Sequence, residues 1–126
     1  MIGRNDPNAI NVVGAASSSE LFQIHQRVNQ HVGLRLVHPD SYRLGRSDHT
    51  PFYYAHVPIM YLFGGHDPDY NTPEDTWDKL IPGKVEKVGR LAFLTALEVA
   101  NQPTRPQFHA VDDTFPGAVN AGEVGR

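Results

Sequence analysis

The sequence predicts an α/β fold, part of a three-layer sandwich with helices on both faces of a mainly parallel sheet. Short apolar runs alternate along the chain with segments of helical periodicity, which is the pattern of α/β layering. The run VPIMYLF at residues 57–63 is continuously apolar, as is typical of a strand covered on both faces. The last periodic segment, residues 84–101, is apolar around so much of its circumference that it should be largely buried.

Each element carries a local signal of its own. Serines 17–19 offer N-caps to a helix that ends at Gly33, and Ser47 is the predicted cap of a short helix that continues to Ala55. Turn formers bound the apolar runs on either side of these helices. The predicted strands are residues 9–13, 34–37 and 57–63, the last of them central, and the long final helix covers residues 84–101.

The length of 126 residues suits one domain. We assign residues 1–102 to this domain, because helical and strand patterns continue up to that point. Residues 103–126 contain proline and glycine without periodicity and are predicted to be a tail.

Composition excludes several classes of function. Eleven Lys and Arg residues against fourteen Asp and Glu give a net charge of −3 without a basic block, so no nucleic-acid partner is expected. The longest apolar run is too short to cross a bilayer and the N-terminus has no apolar signal region, so we expect a soluble protein with no membrane partner. The absence of cysteine excludes disulfides, thiolate nucleophiles and cysteine-ligated zinc.

Two polar segments flank the predicted central strand, and both could converge on one site. They are GRSDHTPF at residues 45–52 and HDPDYNTPEDT at residues 66–76. Asp, Asn, Pro and Thr are also common turn formers, so the residues alone leave a plain turn and a site loop both open. The sequence has neither HExxH nor HxH, and a metal site built from this chain alone is not expected.

The segment from residue 45 to residue 80 resembles the C-terminal half of the di-zinc aminopeptidases of metallopeptidase family 28, which are relatives of the bacterial leucyl aminopeptidases and the glutaminyl cyclases. The family pattern S-D-H-x-P-F matches residues 47–52, and a hydrophobic strand follows an x-P pair at residues 57–58. The pattern D-Y-H-T-P-x-D-T matches residues 69–76, except that Asn71 takes the place of the histidine. The opening MIGR resembles the D-M-I-G-R segment of the family.

The resemblance implies two zinc ions and a role for each matching residue. In the family, the metals are held by His, a bridging Asp, Glu, a second Asp and a final His, and all except the final His precede the region that this chain matches. Asn71 stands at the position of that final ligand, and its neutral amide is a poorer zinc donor than imidazole. Tyr70 corresponds to a donor to the tetrahedral oxyanion. Arg46 resembles an arginine near the substrate carbonyl, Asp48 and His49 are implied as supporting groups, and Asp75 either orients its neighbours or caps a helix.

The implied function is removal of N-terminal residues from a peptide substrate by metal-activated water. Most of the family's zinc ligands have no counterpart in this chain, and Asn71 replaces the final histidine ligand. We therefore expect this chain alone to bind no zinc and to be inactive. The alternative is a metal-free binding or interaction module that keeps the peptidase fold. The resemblance also implies an incomplete sheet, whose exposed edge could support self-association.

Overall fold

Three strands, three helices and two short 3-10 turns make up the part of the chain that the computed structural model describes, residues 2–39 and 47–111. The strands are β1 (Ala9–Val13), β2 (Arg35–Val37) and β3 (Tyr61–Phe63). The helices are α1 (Ser19–Asn29), α2 (Thr50–Tyr54) and α3 (Pro82–Ala100), and the 3-10 turns are Ala15–Ser17 and Trp77–Lys79. None of the described helices is both long and apolar enough to cross a membrane.

The sheet has the strand order β2-β1-β3. β1 pairs with β2 in parallel, with Ala9 opposite Arg35, and with β3 in antiparallel orientation, with Asn11 opposite Phe63. This mixture of helices with a sheet that contains a parallel pair confirms the predicted α/β class.

The prediction that residues 57–63 form the central strand is wrong for the described sheet, where β1 is central and β3 lies at an edge. Only Tyr61–Phe63 of the apolar run pair as a strand. Residues 57–60 instead pass the carboxyl end of β1, where the N–H of Ile59 donates to the hydroxyl of Ser17 at 2.9 Å. The continuous apolar run therefore predicted the burial of Ile59 and Phe63 correctly, but it did not show which of its residues pair with a neighbouring strand.

Local signals set the helix ends. The hydroxyl of Ser18 caps α1 by accepting from the N–H of Leu21 at 3.3 Å, and Gly33 follows the helix with φ of 77°. The prediction that Ser47 caps the second helix is wrong, because the N-cap is His49 and α2 begins at Thr50. Ser47 instead lies in the preceding turn, where its carbonyl oxygen accepts from the N–H of Thr50. Pro51 then lies in the first turn, where its missing N–H costs nothing.

The core lies between one face of the sheet and the two long helices. Ile10 and Val12 of β1, which share a face, form one buried cluster with residues of both helices. The helical members are Ile24 and Val28 of α1 and Val88 and Leu91 of α3. Packing on this single face fixes the position of the chain segments that lead into and out of the sheet.

The prediction that the last helix is largely buried is wrong. Only Lys84, Val88, Leu91 and Thr95 of α3 are buried, while Phe93 is 66% exposed and Leu97 is 46% exposed. Within the described chain, α3 packs against the core through one side, and its second apolar side faces outward.

The first part of the predicted tail contacts the domain. The N–H of His109 donates to the carbonyl of Ser17 at 2.9 Å, and the N–H of Val111 donates to the hydroxyl of Tyr53 at 2.9 Å. Phe108 packs edge-on against the ring of Tyr53, with centroids 5.3 Å apart. Residues 112–126 lie outside the described part of the chain.

Candidate functional site

The polar loop that follows β3 lies beside the start of β1. Because β3 runs antiparallel to β1, the carboxyl end of β3 meets the amino end of β1 at the same edge of the sheet. The segment before β1 contacts this loop directly: the side-chain amide of Asn5 donates to the carbonyls of Gly64 and His66. Residues far apart in sequence therefore build one polar cluster here.

The guanidinium of Arg4 is the centre of that cluster. Its Nη2 lies 3.1 Å from Asp67 Oδ1 and 2.5 Å from Asp69 Oδ2, and its Nη1 lies 2.8 Å from Asp75 Oδ1. The Arg4 side chain is 10% exposed. A planar guanidinium with several donors in fixed directions can bind three carboxylates at once, so Arg4 joins both arms of the loop. We call Arg4, Asp67, Asp69 and Asp75 the arginine cluster.

Lys79 extends the arginine cluster at its exposed side. Its Nζ lies 2.8 Å from Asp69 Oδ2, the oxygen that also binds Arg4. The hydrogen bonds from Lys79 and then from Arg4 lower the pKa of Asp69 below its ordinary value. In return, the hydrogen bond to Asp69 is the largest cause that raises the pKa of Arg4. The charges of Arg4 and Asp69 are therefore maintained at neutral pH.

The same loop is also built as a series of turns. Asp67 Oδ1 accepts from the N–H of Asp69 at 3.1 Å, and the hydroxyl of Thr72 donates to the carbonyl of Asp69 at 2.8 Å. Asn71 adopts a left-handed conformation with φ of 60° and is exposed. Asparagine tolerates this conformation better than most residues, which explains its suitability at the tip of the turn.

A row of aromatic rings connects this loop with the segment that leads into α2. Tyr70 packs edge-on against His66 at 4.5 Å and near Phe63 at 6.2 Å. Phe63 stacks on Tyr61 at 5.9 Å, and Tyr61 stacks on His49 at 4.8 Å. Tyr61 and Phe63 share one face of β3, since alternate side chains of a strand point the same way. We call these five rings the ring row.

The predicted site residues are divided between the two ends of β3. Tyr70 and Asp75 belong to the loop. The sequence left open whether Asp75 caps a helix or orients its neighbours, and in the structure it binds Arg4. His49 ends the ring row, whereas Asp48 is exposed beside it. Arg46 lies outside the described residues. The ring row is therefore the link that the structure describes between the two polar segments.

Arg4 is the residue that sequence analysis missed. It lies 65 and 71 positions from Asp69 and Asp75, so no local pattern joins them. The available signal was three aspartates within nine residues of a loop, because such a concentration of negative charge needs a cation nearby.

The residues of this loop do not fit a zinc site. Among residues 2–39 and 47–111, no group of three or more His, Cys, Asp or Glu residues could hold a metal ion. The carboxylates of Asp67, Asp69 and Asp75 are bound by Arg4. Asp67 Oδ2 is buried without a hydrogen bond to a described residue, and a single oxygen does not make a zinc site.

A second polar cluster lies away from the loop, where α1 meets the residue after β2. His25 is fully buried, and its Nδ1 lies 3.1 Å from the carbonyl of Leu21 while its Nε2 lies 2.9 Å from Nε2 of His38. A carbonyl only accepts, so Nδ1 of neutral His25 carries the proton and its Nε2 accepts from the Nε2–H of His38. Phe22 packs against both rings at 5.0 Å.

We expect this pair of histidines to make the protein less stable as the pH falls below about 6.5, the ordinary histidine pKa. Burial lowers the pKa of both His25 and His38 in the folded state. The unfolded chain therefore binds more protons in that range, and the free energy of unfolding decreases as pH decreases. Urea unfolding at a series of pH values from neutral to mildly acidic measures the effect.

The matched variants are His25→Phe, which removes the buried imidazole, and His31→Gln, which changes an exposed histidine on the neighbouring turn. The pH dependence should become weaker in His25→Phe and stay unchanged in His31→Gln. An equal dependence in all three chains would mean that the buried pair does not titrate differently on folding.

Comparisons with known proteins agree with this architecture. The model of peptidase family M28 matches residues 1–96. Among solved structures, the aminopeptidase LapA of Legionella pneumophila superposes with a TM-score of 0.64 at 23% sequence identity. The alignment covers 81% of this chain and 30% of that chain, so the present chain spans less than a third of the aminopeptidase. A search of curated proteins found no match. At this identity the likeness establishes a shared fold.

Proposed function

Because the chain belongs to peptidase family M28, we propose that it forms the C-terminal part of an aminopeptidase-like hydrolase. Its substrate would be a peptide with a free amino terminus, from which the complete enzyme removes the first residue. The observation that carries this proposal is the family match over residues 1–96, which includes both polar segments and β3 between them. The shared fold with an aminopeptidase supports it.

Within this proposal, Tyr70 is the residue of the loop that acts on the reacting group. A phenol hydroxyl can donate to the oxyanion that develops when a peptide carbonyl is attacked. The rings of His66 and Phe63 limit the orientation of the Tyr70 ring, and the arginine cluster holds the loop on either side of it. His49 and Asp48 are supporting groups in the same proposal, and Arg46 would approach the substrate carbonyl.

The family is generally zinc-dependent, whereas the described residues do not provide a zinc site. Asn71 offers only a neutral amide at the position where the family motif has histidine. We therefore assign no step to a metal in this chain and expect that the chain alone does not hydrolyse peptides.

Asn71 favours a second candidate, a metal-free module that binds peptides through the same surface. Its amide is exposed at the tip of the loop, where it can exchange hydrogen bonds with a peptide backbone without any metal. This candidate keeps Tyr70 and the ring row as a binding surface and gives up the hydrolytic step.

Hydrolysis and binding assays on the purified chain separate these candidates. We expect no release of p-nitroaniline from leucine p-nitroanilide, either with added zinc or with a chelator, because the metal donors are lacking among the described residues. Hydrolysis that a chelator abolishes would contradict the proposed inactivity of the isolated chain. Activity that persists in the presence of the chelator would indicate a contaminating enzyme. In that case a preparation of the Tyr70→Phe variant would show the same activity as the natural chain.

The binding assay uses Trp77, the only tryptophan, as a reporter directly after the loop. The metal-free module predicts a saturable change in its emission when a short peptide is added in the presence of a chelator, and weaker binding by Tyr70→Phe. No change in emission and no heat of binding in calorimetry would remove the module as a candidate.

A further inference from the structure

Residues 105–111 run along the domain without forming a helix or a strand of their own. The N–H of His109 donates to the carbonyl of Ser17, and the N–H of Val111 donates to the hydroxyl of Tyr53, both at 2.9 Å. N–H groups at alternate positions face the same way when a chain is extended. Val111 is also buried, with 5% exposure. The segment is therefore bound to the domain through its backbone, and we call residues 105–111 the latch.

The side chain of Phe108 connects the latch to α2. Its ring packs edge-on against Tyr53 with centroids 5.3 Å apart, and it stacks on His56 at 5.1 Å. Tyr53 belongs to α2, and His56 follows the end of that helix with φ of 57°. A residue other than glycine keeps such a left-handed conformation when the surrounding contacts hold it there. Phe108 thus contacts both the helix and the left-handed turn that ends it.

The helix α2 needs contacts from outside itself. It has five residues, and none of them is buried. A helix of this length is not stable in water on its own, because its few hydrogen bonds do not offset the cost of nucleation. The latch contacts both the ring and the hydroxyl of Tyr53. The position of α2 should therefore depend on the latch.

The start of α2 lies at one end of the ring row. His49 is the N-cap residue of α2, and its ring stacks on Tyr61 of β3 at 4.8 Å. The carbonyl of His49 accepts from the N–H of Tyr53 at 3.1 Å. One helical turn therefore connects the residue that the latch contacts to the residue that ends the ring row.

We propose that the latch positions α2, and through α2 the His49 end of the ring row, so that the segment after α3 sets the geometry of the candidate site. When Phe108 leaves Tyr53 and His56, the short helix frays and His49 loses its place in the ring row. The family match ends at residue 96, so the latch lies outside the region that identifies the family. The same positioning applies whether the candidate site hydrolyses peptides or only binds them.

Hydrogen exchange of the backbone amides, followed by NMR in the full chain, tests the hold of the latch on α2. In Phe108→Ala, the amides of Tyr53 and Ala55, which donate to carbonyls one turn earlier, should exchange on the order of tenfold faster. The reason is that two aromatic contacts at this helix are lost. The amide of Leu91 should exchange as before, because Phe108 is not among the residues of the core cluster.

The ring protons of His49 supply a second readout. In the natural chain they lie against the face of Tyr61, whose ring current shifts their resonances. In Phe108→Ala these resonances should move towards those of an unstacked histidine. A latch that only packed on α2 would leave them unchanged, so this readout tests the connection to the ring row.

Phe93→Ala is the matched control, because it makes the same change at a ring that is 66% exposed on α3. It should leave both readouts as they are in the natural chain. Phe108→Tyr keeps an aromatic ring in the latch and should also retain both. Tyr53→Phe removes only the hydroxyl that accepts from the N–H of Val111, so the exchange of α2 should rise less than in Phe108→Ala.

Three outcomes would overturn the proposal. Unchanged exchange of α2 in Phe108→Ala would mean that other contacts hold this helix. Faster exchange of α2 with unchanged His49 resonances would mean that β3, and not the latch, sets the position of His49. An equal increase in exchange at α2 and at Leu91 would mean that Phe108 contributes only to global stability.

Discussion

Replacing Arg4 with alanine should loosen the whole loop after β3 and lower the thermal midpoint of unfolding. The substitution removes the one guanidinium that binds Asp67, Asp69 and Asp75, and it leaves three carboxylates close together. Their mutual repulsion would drive the arms of the loop apart. Circular dichroism measures the thermal midpoint, and the emission of Trp77, directly after the loop, reports the local change.

Two control variants separate charge from geometry at the arginine cluster. Arg4→Lys keeps the positive charge but cannot reach three carboxylates with one planar group, so its effect should be intermediate. Lys79→Ala removes an exposed cation that contacts only Asp69 in the cluster and should have the smallest effect. An Arg4→Ala variant with an unchanged midpoint and unchanged emission would contradict the role of Arg4 in holding the loop.

The largest loss of global stability is expected from Leu91→Ala in α3. Leu91 has 0% exposure and lies in the cluster that joins both long helices to β1. Substituting alanine removes buried methyl groups and leaves a cavity, which costs about 2–5 kcal/mol in the free energy of unfolding. Urea unfolding followed by circular dichroism measures this difference.

Leu97→Ala is the control for Leu91→Ala, since it makes the same chemical change on the outward side of the same helix. At a concentration where the protein is monomeric, it should cost less than about 0.5 kcal/mol. Equal losses for the two variants would mean that both sides of α3 are packed within the monomer.

Sequence patterns were informative where a local rule decides the structure. The serines before α1 specified the start of that helix, because capping depends on neighbouring residues alone. The predicted end at Gly33 was less accurate, since α1 ends at Asn29 and Gly33 follows after a further turn. The family was also recognisable, since the ordered motifs at residues 47–52 and 69–76 and their spacing resemble the pattern of metallopeptidase family 28. The match to residues 1–96 confirms that resemblance.

Sequence patterns failed where distant segments decide the structure. The apolar composition of residues 57–63 could not tell pairing at the centre of a sheet from pairing at an edge, because both bury apolar side chains. The width of the apolar face of α3 predicted a largely buried helix, but it could not show that only one side packs within the described chain. Hydrophobicity indicates how much apolar surface should be buried, and it does not indicate which segment buries that surface.

The place of the polar loop after β3 was predictable, whereas the contacts within it were not. That Tyr70, Asn71 and Asp75 of this loop belong to a functional site stays a prediction. That Arg4 would bind Asp75 could not be seen, because a single arginine among the first residues has no pattern of its own. The buried contact between His25 and His38 was not predicted either, because no local pattern joins a helix to the end of a strand thirteen positions away.

The long sequence separation within the arginine cluster also has a kinetic consequence. Arg4 and Asp75 are 71 positions apart, so their contact closes a loop that contains all three strands, α1 and α2, while α3 lies outside it. Closing so long a loop is entropically unfavourable until the intervening sheet and helices have brought its ends together. The contact should therefore form after the rate-limiting step of folding. Substitutions at Arg4 would then accelerate unfolding and leave the folding rate almost unchanged. On this view the candidate site is the last part of the protein to assemble and the first to open.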